Sequence, residues 1–495
     1  MTRPVKHWDL ALQLDIGGAD QPLFVCIARG LEQAVAQGRL GAGARVPGTR
    51  QLAAALGVHR NTVIAAYREL LAEGYLESRV GLGTFVAASL PESKPRRFGK
   101  PPPLPGLART LGYALGAQAV QAPGYVPVPR GTLALYGGLP DVRLLPRAAL
   151  ARAYRRALAD PATLSYGDPA GHPRLRQALA SMLSATRGLA IGEQDLVVTR
   201  GSQMALALCA RVLLSAGDVV AVEQHGYAPA WQALRAAGAR LCPLPLDAHG
   251  LSVDALATLC ETEPVRAVYL TAHHQYPTTV TLSASRRLAL LALARRKRFA
   301  ILEDDYDHEF HYEGRPILPL ASADTAGSVV YIGTLSKVLA PGVRIGYVVA
   351  PAPLLGALVA QRFYLDRQGD QATEAAVAEL FEDGEVQRHV RRARRVYRAR
   401  RDLCAHLLAR SFGDELSFRV PPGGMAFWIK ARRGLPVERW LGCAQREGVL
   451  FQPGRLFDFE QRASPFLRLG FAGLDERELV EAMRRLQRAR KQARG

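Results

Sequence analysis

Cysteine is scarce in this chain of 495 residues and never closely paired. The six, Cys26, Cys209, Cys242, Cys260, Cys404 and Cys443, lie far apart, mostly in apolar periodic segments, and no C-x-x-C occurs. That spacing argues against a disulfide framework and against a cysteine zinc site, and it fits a reducing cytosol. Long apolar runs are missing too: no stretch approaches the roughly 18 residues of a membrane span, and the N-terminus carries Arg3, Lys6 and Asp9 in place of a signal-peptide core. A cytoplasmic chain without a membrane partner is expected. Acidic residues are outnumbered, 44 against 64 basic ones, for a formal net charge of +20. Such an excess points to a polyanion as partner, with nucleic acid ahead of an anionic membrane, although arginine- and alanine-rich chains are often basic throughout. The eight arginines from Arg388 to Arg401 stand at mixed helical spacing, which reads as a solvated helix face before it reads as a DNA contact.

What is present is ample core material, 48% apolar residues, in a length that implies two or three domains. From Pro22 to Gln37, Leu23, Ile27, Leu31 and Val35 recur at helical spacing up to Gly38. After the turn-rich LGAGARVPGTR, Thr49 can cap a second helix, Arg50 to Leu56, which Gly57 ends. A third helix is expected from Arg60 to Glu73 with Val63, Ile64, Tyr67, Leu70 and Leu71 inward. Two helices across a three-residue turn form a helix-turn-helix, and the second opens with Arg60, Asn61 and Thr62, where base edges are read. Gly74 to Val86, GYLESRVGLGTFV, reads as two strands around Gly81, Leu82 and Gly83, a wing. Residues 22–86 resemble the winged helix of the GntR family, nearly continuously through GRLGAGARVPGTRQLAAALGVHRNTVIAAYRELLAEGYLESRVGLGTFV. That resemblance implies DNA contacts by Arg45, Arg50 and Arg60, with Asn61 and Thr62 beside them. His59 stands where the family usually has a capping serine, so a different cap is expected there.

Residues 89–130 read as a linker, basic at first and proline-rich in PESKPRRFGKPPPLPG. From Thr132 on, helical and short buried-strand segments alternate, as in an α/β domain with a largely parallel sheet. The run VVYIGTLSKVLAPGVRIGY, Val329 to Tyr347, holds its chemistry. A buried strand delivers Thr334, Ser336 and Lys337 to a loop, where an amine can form a Schiff base with an aldehyde cofactor. The hydroxyls and Arg344 can bind a phosphate. Alone, the run fits a solvated loop lysine equally well. A second strand, Phe299 to Leu302, ends in Glu303, Asp304, Asp305, Tyr306 and Asp307; a carboxylate there can pair with a pyridinium nitrogen and a tyrosine with a ring oxygen. Together these residues outline a pyridoxal phosphate site. Metal ligation by His308, Glu309 and His311, or by the pair His273 and His274, fits less well, because the carboxylates are adjacent and no spaced partners are evident; no metal is expected. Asp195 to Thr199 reads as a strand before a helix opening with Ser202 and Gln203, a weak phosphate signal. Tyr227, after strand Val219 to Glu223, suits ring stacking or core packing equally.

Eight ordered motifs spread over some 340 residues bring these pieces together: YGGLPDVRLLP, LSYGDPAGHPRLRQAL, VTRGSQMAL, VEQHGY, HHQYPTTVTLS, EDDYDHEF, YIGTLSKVLAPGVRIGY and FLRLGFAGL. They resemble the fold-type I aminotransferases, and with the winged helix in front the whole chain resembles the MocR-type regulators. The resemblance implies an α/β architecture: a winged helix-turn-helix (1–88), a Pro-rich linker (89–130) and an aminotransferase-like domain (131–495) with a large mostly parallel sheet and a small C-terminal α/β part. It implies that Lys337 carries pyridoxal phosphate as a Schiff base, that Asp304 meets the ring nitrogen, that Tyr306 meets the phenolic oxygen and that Tyr227 stacks on the ring. By the same resemblance Ser202, Gln203, Thr334, Ser336 and Arg344 hold the phosphate, Tyr166 reaches the phosphate of a neighbouring subunit in a head-to-tail homodimer, and Arg468 grips the carboxylate of an amino-acid-like effector. Tyr276 stands where transaminating relatives usually carry asparagine, Thr279 replaces a frequent glycine and His225 a frequent proline. The function implied is a pyridoxal phosphate-dependent regulator that binds an operator or promoter and senses the cofactor or an amino compound. The alternatives are an active aminotransferase carrying a DNA-binding module, or a DNA-binding protein whose second domain only dimerises.

Overall fold

The computed structural model describes residues 22–90, 128–314, 317–432 and 434–494, and the chain forms two compact units, Met1–Leu115 and Gly116–Gly495. Most of the expected linker, residues 91–127, lies outside the described residues, as does the N-terminal stretch 1–21.

The first unit has three helices, Leu23–Ala36, Thr49–Leu56 and Arg60–Ala72, followed by the antiparallel strands Leu76–Arg79 and Gly83–Val86. Gly57 takes the left-handed conformation (φ 64°) that closes the second helix, a backbone shape glycine adopts without steric penalty. The core gathers Ile27, Leu31, Val35, Leu52, Val63, Tyr67, Leu70 and Val86, and the buried Tyr67 hydroxyl donates to the Pro47 carbonyl at 2.7 Å. Three expectations need correction. Leu23 and Leu71 are exposed, the first because it opens its helix beyond the core, the second because it is rotated about 100° from Leu70. Thr49 is the first helical residue rather than the cap; Gly48 occupies that position with no side-chain bond.

The second unit is built on a seven-stranded sheet, in spatial order Leu196–Thr199, Gly346–Val349, Val329–Thr334, Ala300–Asp305, Val265–Leu270, Val219–Glu223 and Arg240–Leu244. Only Gly346–Val349 runs against its neighbours in that sheet. Alternate residues feed opposite cores: Val197, Val222, Tyr269, Leu302, Ile332 and Val348 on one face, Leu196, Val198, Tyr331, Tyr347 and Val349 on the other. Helices cover both faces, which is why these strands read as continuous apolar runs. The parallel strands therefore end along one edge, where an open α/β sheet binds ligands. A four-stranded antiparallel sheet, Leu416–Phe418, Ala426–Ala431, Phe466–Gly470 and Gln452–Pro453 in that spatial order, forms the C-terminal part. Its core also includes buried residues of helices Glu385–Phe412, Val437–Arg446 and Glu476–Arg494.

The arginine-rich stretch lies on the helix Glu385–Phe412, and six of its eight arginines are exposed as expected. Arg400 and Arg401 are buried instead. Arg400 donates to Asp141 Oδ2 (3.0 Å) and the Ala472 carbonyl (2.7 Å), and Arg401 to Glu313 Oε1 (2.7 Å) and the Pro421 carbonyl (2.8 Å). Among the described residues no helix is long and apolar enough to cross a membrane.

Candidate functional site

The winged-helix residues singled out by sequence lie at one helix start and around it. Arg45, Arg50, Arg60 and Asn61 are exposed and Thr62 is half-buried. His59 is the N-cap of the helix Arg60–Ala72, and its Nδ1 accepts the Asn61 backbone N–H at 3.3 Å. The imidazole thus takes over the bond a serine hydroxyl would accept, at the long end of hydrogen-bond range. Arg60 Nε donates to Thr49 Oγ1 at 3.3 Å, linking the two helices of the motif. The Arg45 guanidinium lies against Gly83 in the wing, where an added Cβ would come within 3.1 Å of its Nε.

At the strand ends of the second unit lies a recess of about 170 Å³ whose lining includes Ser202, Gln203, Tyr227, Asp304, Tyr306, Thr334, Ser336, Lys337 and Arg344. These residues, expected around a cofactor and drawn from distant segments, therefore share one cavity. Each end has its own chemistry. At one, Asp304 is buried on strand Ala300–Asp305; its Oδ2 accepts the Tyr269 hydroxyl at 3.0 Å, and its Oδ1 has no partner. Burial pushes this carboxyl up to about 7. A buried acceptor without a donor is destabilising unless a ligand supplies one. At the other end the helix Ser202–Leu213 presents its first turn. Beside it Thr334 Oγ1 is hydrogen-bonded to Ser336 Oγ (3.0 Å), and Arg344 Nη2 donates to the Arg200 carbonyl (2.8 Å). Gly201 (φ 79°) makes the tight entry to that helix, and a Cβ on it would come within 3.1 Å of Arg344. Helix-start amides, two hydroxyls and a guanidinium form an anion cup.

Lys337 lines the same recess, half-buried. Burial, together with the neighbouring Arg468 and Arg344, lowers its pKa, while Asp307 and Asp304 oppose the shift. The neutral, nucleophilic amine is favoured accordingly. Tyr227 meets Tyr276 edge-on, with centroids 5.5 Å apart. Tyr306 donates its proton to the His274 carbonyl at 3.0 Å, so in this arrangement it faces the recess as an acceptor. Arg468 is fully buried, and its Nε and Nη1 have no partner. The Tyr276 ring covers the guanidinium face 4.0 Å away. Tyr166 is not part of the recess lining; it is 76% exposed, with the Arg367 guanidinium over its ring at 4.2 Å.

Sequence reasoning missed several neighbours. Gly138 (φ 77°) brings backbone so near that a Cβ would come within 3.4 Å of Lys337 Nζ, and a side chain on Gly137 would clash with Arg468; the adjacent glycines of YGGLP were the available signal. Tyr269, which orients Asp304, carried none beyond its place near a strand end. Thr279 has φ 63°, the left-handed conformation for which glycine is the usual choice. The paired histidines also have a neighbour distant in sequence: His273, His274 and His311 bring ligand atoms within 4.8 Å of one another.

Comparison with known proteins agrees with this geometry. Residues 25–86 match the bacterial regulatory proteins of the gntR family, and residues 137–486 match aminotransferase class I and II. Along nearly the whole chain, the probable rhizopine catabolism regulatory protein MocR of Rhizobium meliloti is 33% identical over 481 residues, 95% of this chain and 94% of that protein. The chain belongs to the MocR-type regulators. Another relative of this kind, the HTH-type transcriptional regulator TauR of Rhodobacter capsulatus, is 32% identical over 92% of this chain and 94% of its own. Among solved structures, the α-aminoadipate aminotransferase LysN of Thermus thermophilus, complexed with N-(5'-phosphopyridoxyl)-L-leucine, superposes with a TM-score of 0.69 at 31% identity, over 74% of this chain and 93% of that one. The MocR-type architecture thus joins a GntR winged helix to a fold-type I aminotransferase-like domain, and that fold implies dependence on pyridoxal phosphate.

Proposed function

We propose that this regulator holds pyridoxal phosphate in the recess at Lys337, reads an amino compound at Arg468 and couples that occupancy, through a head-to-tail homodimer, to binding of an operator or promoter. The observation that carries the reading is the unpartnered, buried Asp304 Oδ1 in the same cavity as the Lys337 amine and the anion cup. Asp304 would accept the ring N–H, Ser202, Gln203, Thr334, Ser336 and Arg344 would take the phosphate, and Tyr227 would cover the ring. When bound, the cofactor supplies an aldehyde carbon and an electron-accepting ring. Lys337, its amine shifted toward the neutral form by burial, is the nucleophile for that carbon. Arg468, with Nε and Nη1 unpartnered, has donors to offer a carboxylate. Tyr166, exposed in one chain, would reach the recess of a partner. Arg45, Arg50 and Arg60 would supply phosphate or base contacts, with Asn61 and Thr62 beside them.

Ligand and operator influence each other only if the cofactor or amino compound binds two dimer arrangements with different affinity. A twenty-fold coupling corresponds to about 1.8 kcal/mol. Operator affinity and DNA bending are measured without cofactor, with pyridoxal phosphate, and with cofactor plus a panel of amino acids; a change in either is expected. Identical curves and bends throughout would sink the sensing role.

A further inference from the structure

Next to the recess, past the hydrogen bond from Tyr306 to the His274 carbonyl, the fold collects four histidines. His273 and His274 follow strand Val265–Leu270, and His308 and His311 follow strand Ala300–Asp305. The His273 ring stands 4.2 Å from that of His274, 4.3 Å from that of His308 and 5.8 Å from that of His311, centroid to centroid. His273, His274 and His308 are only 3%, 2% and 3% exposed, and His311 is half-buried.

Imidazoles packed this way in an ordinary core would find donors and acceptors; these do not. Both ring nitrogens of His273 lack a partner, as do His274 Nε2, His308 Nε2 and His311 Nδ1. One ring is held from behind by a hydrogen bond, and a second has a carboxylate close to it without one. His274 Nδ1 is hydrogen-bonded to Asp307 Oδ1 at 2.8 Å, and His308 Nδ1 lies 2.9 Å from Asp305 Oδ2. A carboxylate on one nitrogen with the other left open is how proteins orient a metal-ligating histidine. The adjoining loop is glycine at two positions: a Cβ on Gly423 would overlap His274 Nε2, and one on Gly424 would come within 3.2 Å of Asp307 Oδ2.

We propose that His273, His274 and His311 bind a borderline transition-metal dication of the zinc, cobalt or nickel class, with His308 stacked beside His273. An all-imidazole set selects such ions over magnesium or calcium, which take oxygen ligands. The ligand atoms of the three histidines lie within 4.8 Å of one another. Three nitrogens in a tetrahedral set at about 2.1 Å from the ion stand about 3.4 Å apart, so modest ring rotations close the site. The ion ties the segment after one strand to the segment after its neighbour, beside Tyr306 and next to the glycine loop. Its binding does not depend on the cofactor.

The test uses the full chain, stripped with a chelator and titrated with Co²⁺, whose visible absorption reports coordination. One Co²⁺ per chain with an intense tetrahedral or five-coordinate band, displaced by one equivalent of Zn²⁺, is expected, together with a melting temperature that rises with added Zn²⁺ and falls back with chelator. His273→Ala and His311→Ala should each weaken Co²⁺ binding by about 100-fold or more, with circular dichroism reporting whether each variant folds. Should a variant fail to fold, the wild-type band and stoichiometry decide. A wild-type protein that gives no such band, or folded variants that bind Co²⁺ as the parent does, would overturn the site.

Discussion

Two buried arginines of the second unit are treated in opposite ways. Arg400, on the helix Glu385–Phe412, sends Nη1 to both Asp141 Oδ2 and the Ala472 carbonyl. Arg468, on strand Phe466–Gly470, is fully buried with Nε and Nη1 unpartnered. Two buried carboxylates repeat the contrast. Burial raises the Asp141 pKa, but hydrogen bonds from Arg143 and Arg400 outweigh it and hold the group low. Asp304, with one oxygen open, is pushed up to about 7 by burial. Around Arg400 the polar bonds are completed within the chain; at Arg468 and Asp304 they are left open, and native-state stability is reduced there.

Substitution sharpens that comparison. Arg400→Met should be the most damaging, lowering unfolding free energy by about 3 kcal/mol, the lower part of the range for breaking a buried pair, because Arg143 still binds Asp141. Urea denaturation measures it; an unchanged midpoint would remove the strut from the account. Arg468→Met should leave the unliganded protein as stable or slightly more so, while weakening amino-acid binding to the cofactor-loaded chain by about 10- to 100-fold, the range a charged hydrogen bond contributes. A loss of stability equal to that of Arg400→Met would erase the contrast.

The carboxylates should differ in pH dependence. The folded Asp304 pKa, about 7 against an ordinary 3.8, lies above the unfolded value, so its contribution is fully present below about pH 4 and is lost as pH rises through 7. Glu303, at about 7, and Glu223, at about 8, act in the same sense. Asp141, held low, contributes above its ordinary pKa and loses that contribution as pH falls. Asp304→Asn should therefore flatten the decline in cofactor-free stability between about pH 4 and 7, read from urea midpoints at several pH values. The smallest effect belongs to the exposed cap: His59→Ala should lower the stability of the first unit by about 0.5–1 kcal/mol, seen as a small drop in melting temperature, and replacement by serine should restore it.

The winged helix was largely legible because its determinants are local. Helical spacing, Gly57 after Leu56 and the wing's turn residues each act over a few positions, and the errors at Leu23, Leu71 and Thr49 fell at helix ends or on the edge of the apolar face. In the second unit the buried strands were legible as apolar runs, and Lys337, Asp304, Thr334, Ser336 and Arg344 stood out because strand ends are short and chemically marked. Orientation was not. Whether Tyr306 gives its proton to His274, whether Arg468 is paired, and whether His273 meets His311 all depend on how distant segments pack, as does the burial of Arg400 and Arg401 within a run that reads as solvated.

The central claim, an open acceptor and an anion cup arranged around one amine, is tested most directly by treating the protein with pyridoxal phosphate, reducing it with borohydride and mapping the modified peptide by mass spectrometry. One phosphopyridoxyl group per chain on Lys337, absent from Lys337→Ala, is the expected result. Labelling scattered over other lysines, with Lys337 unmodified, would contradict it.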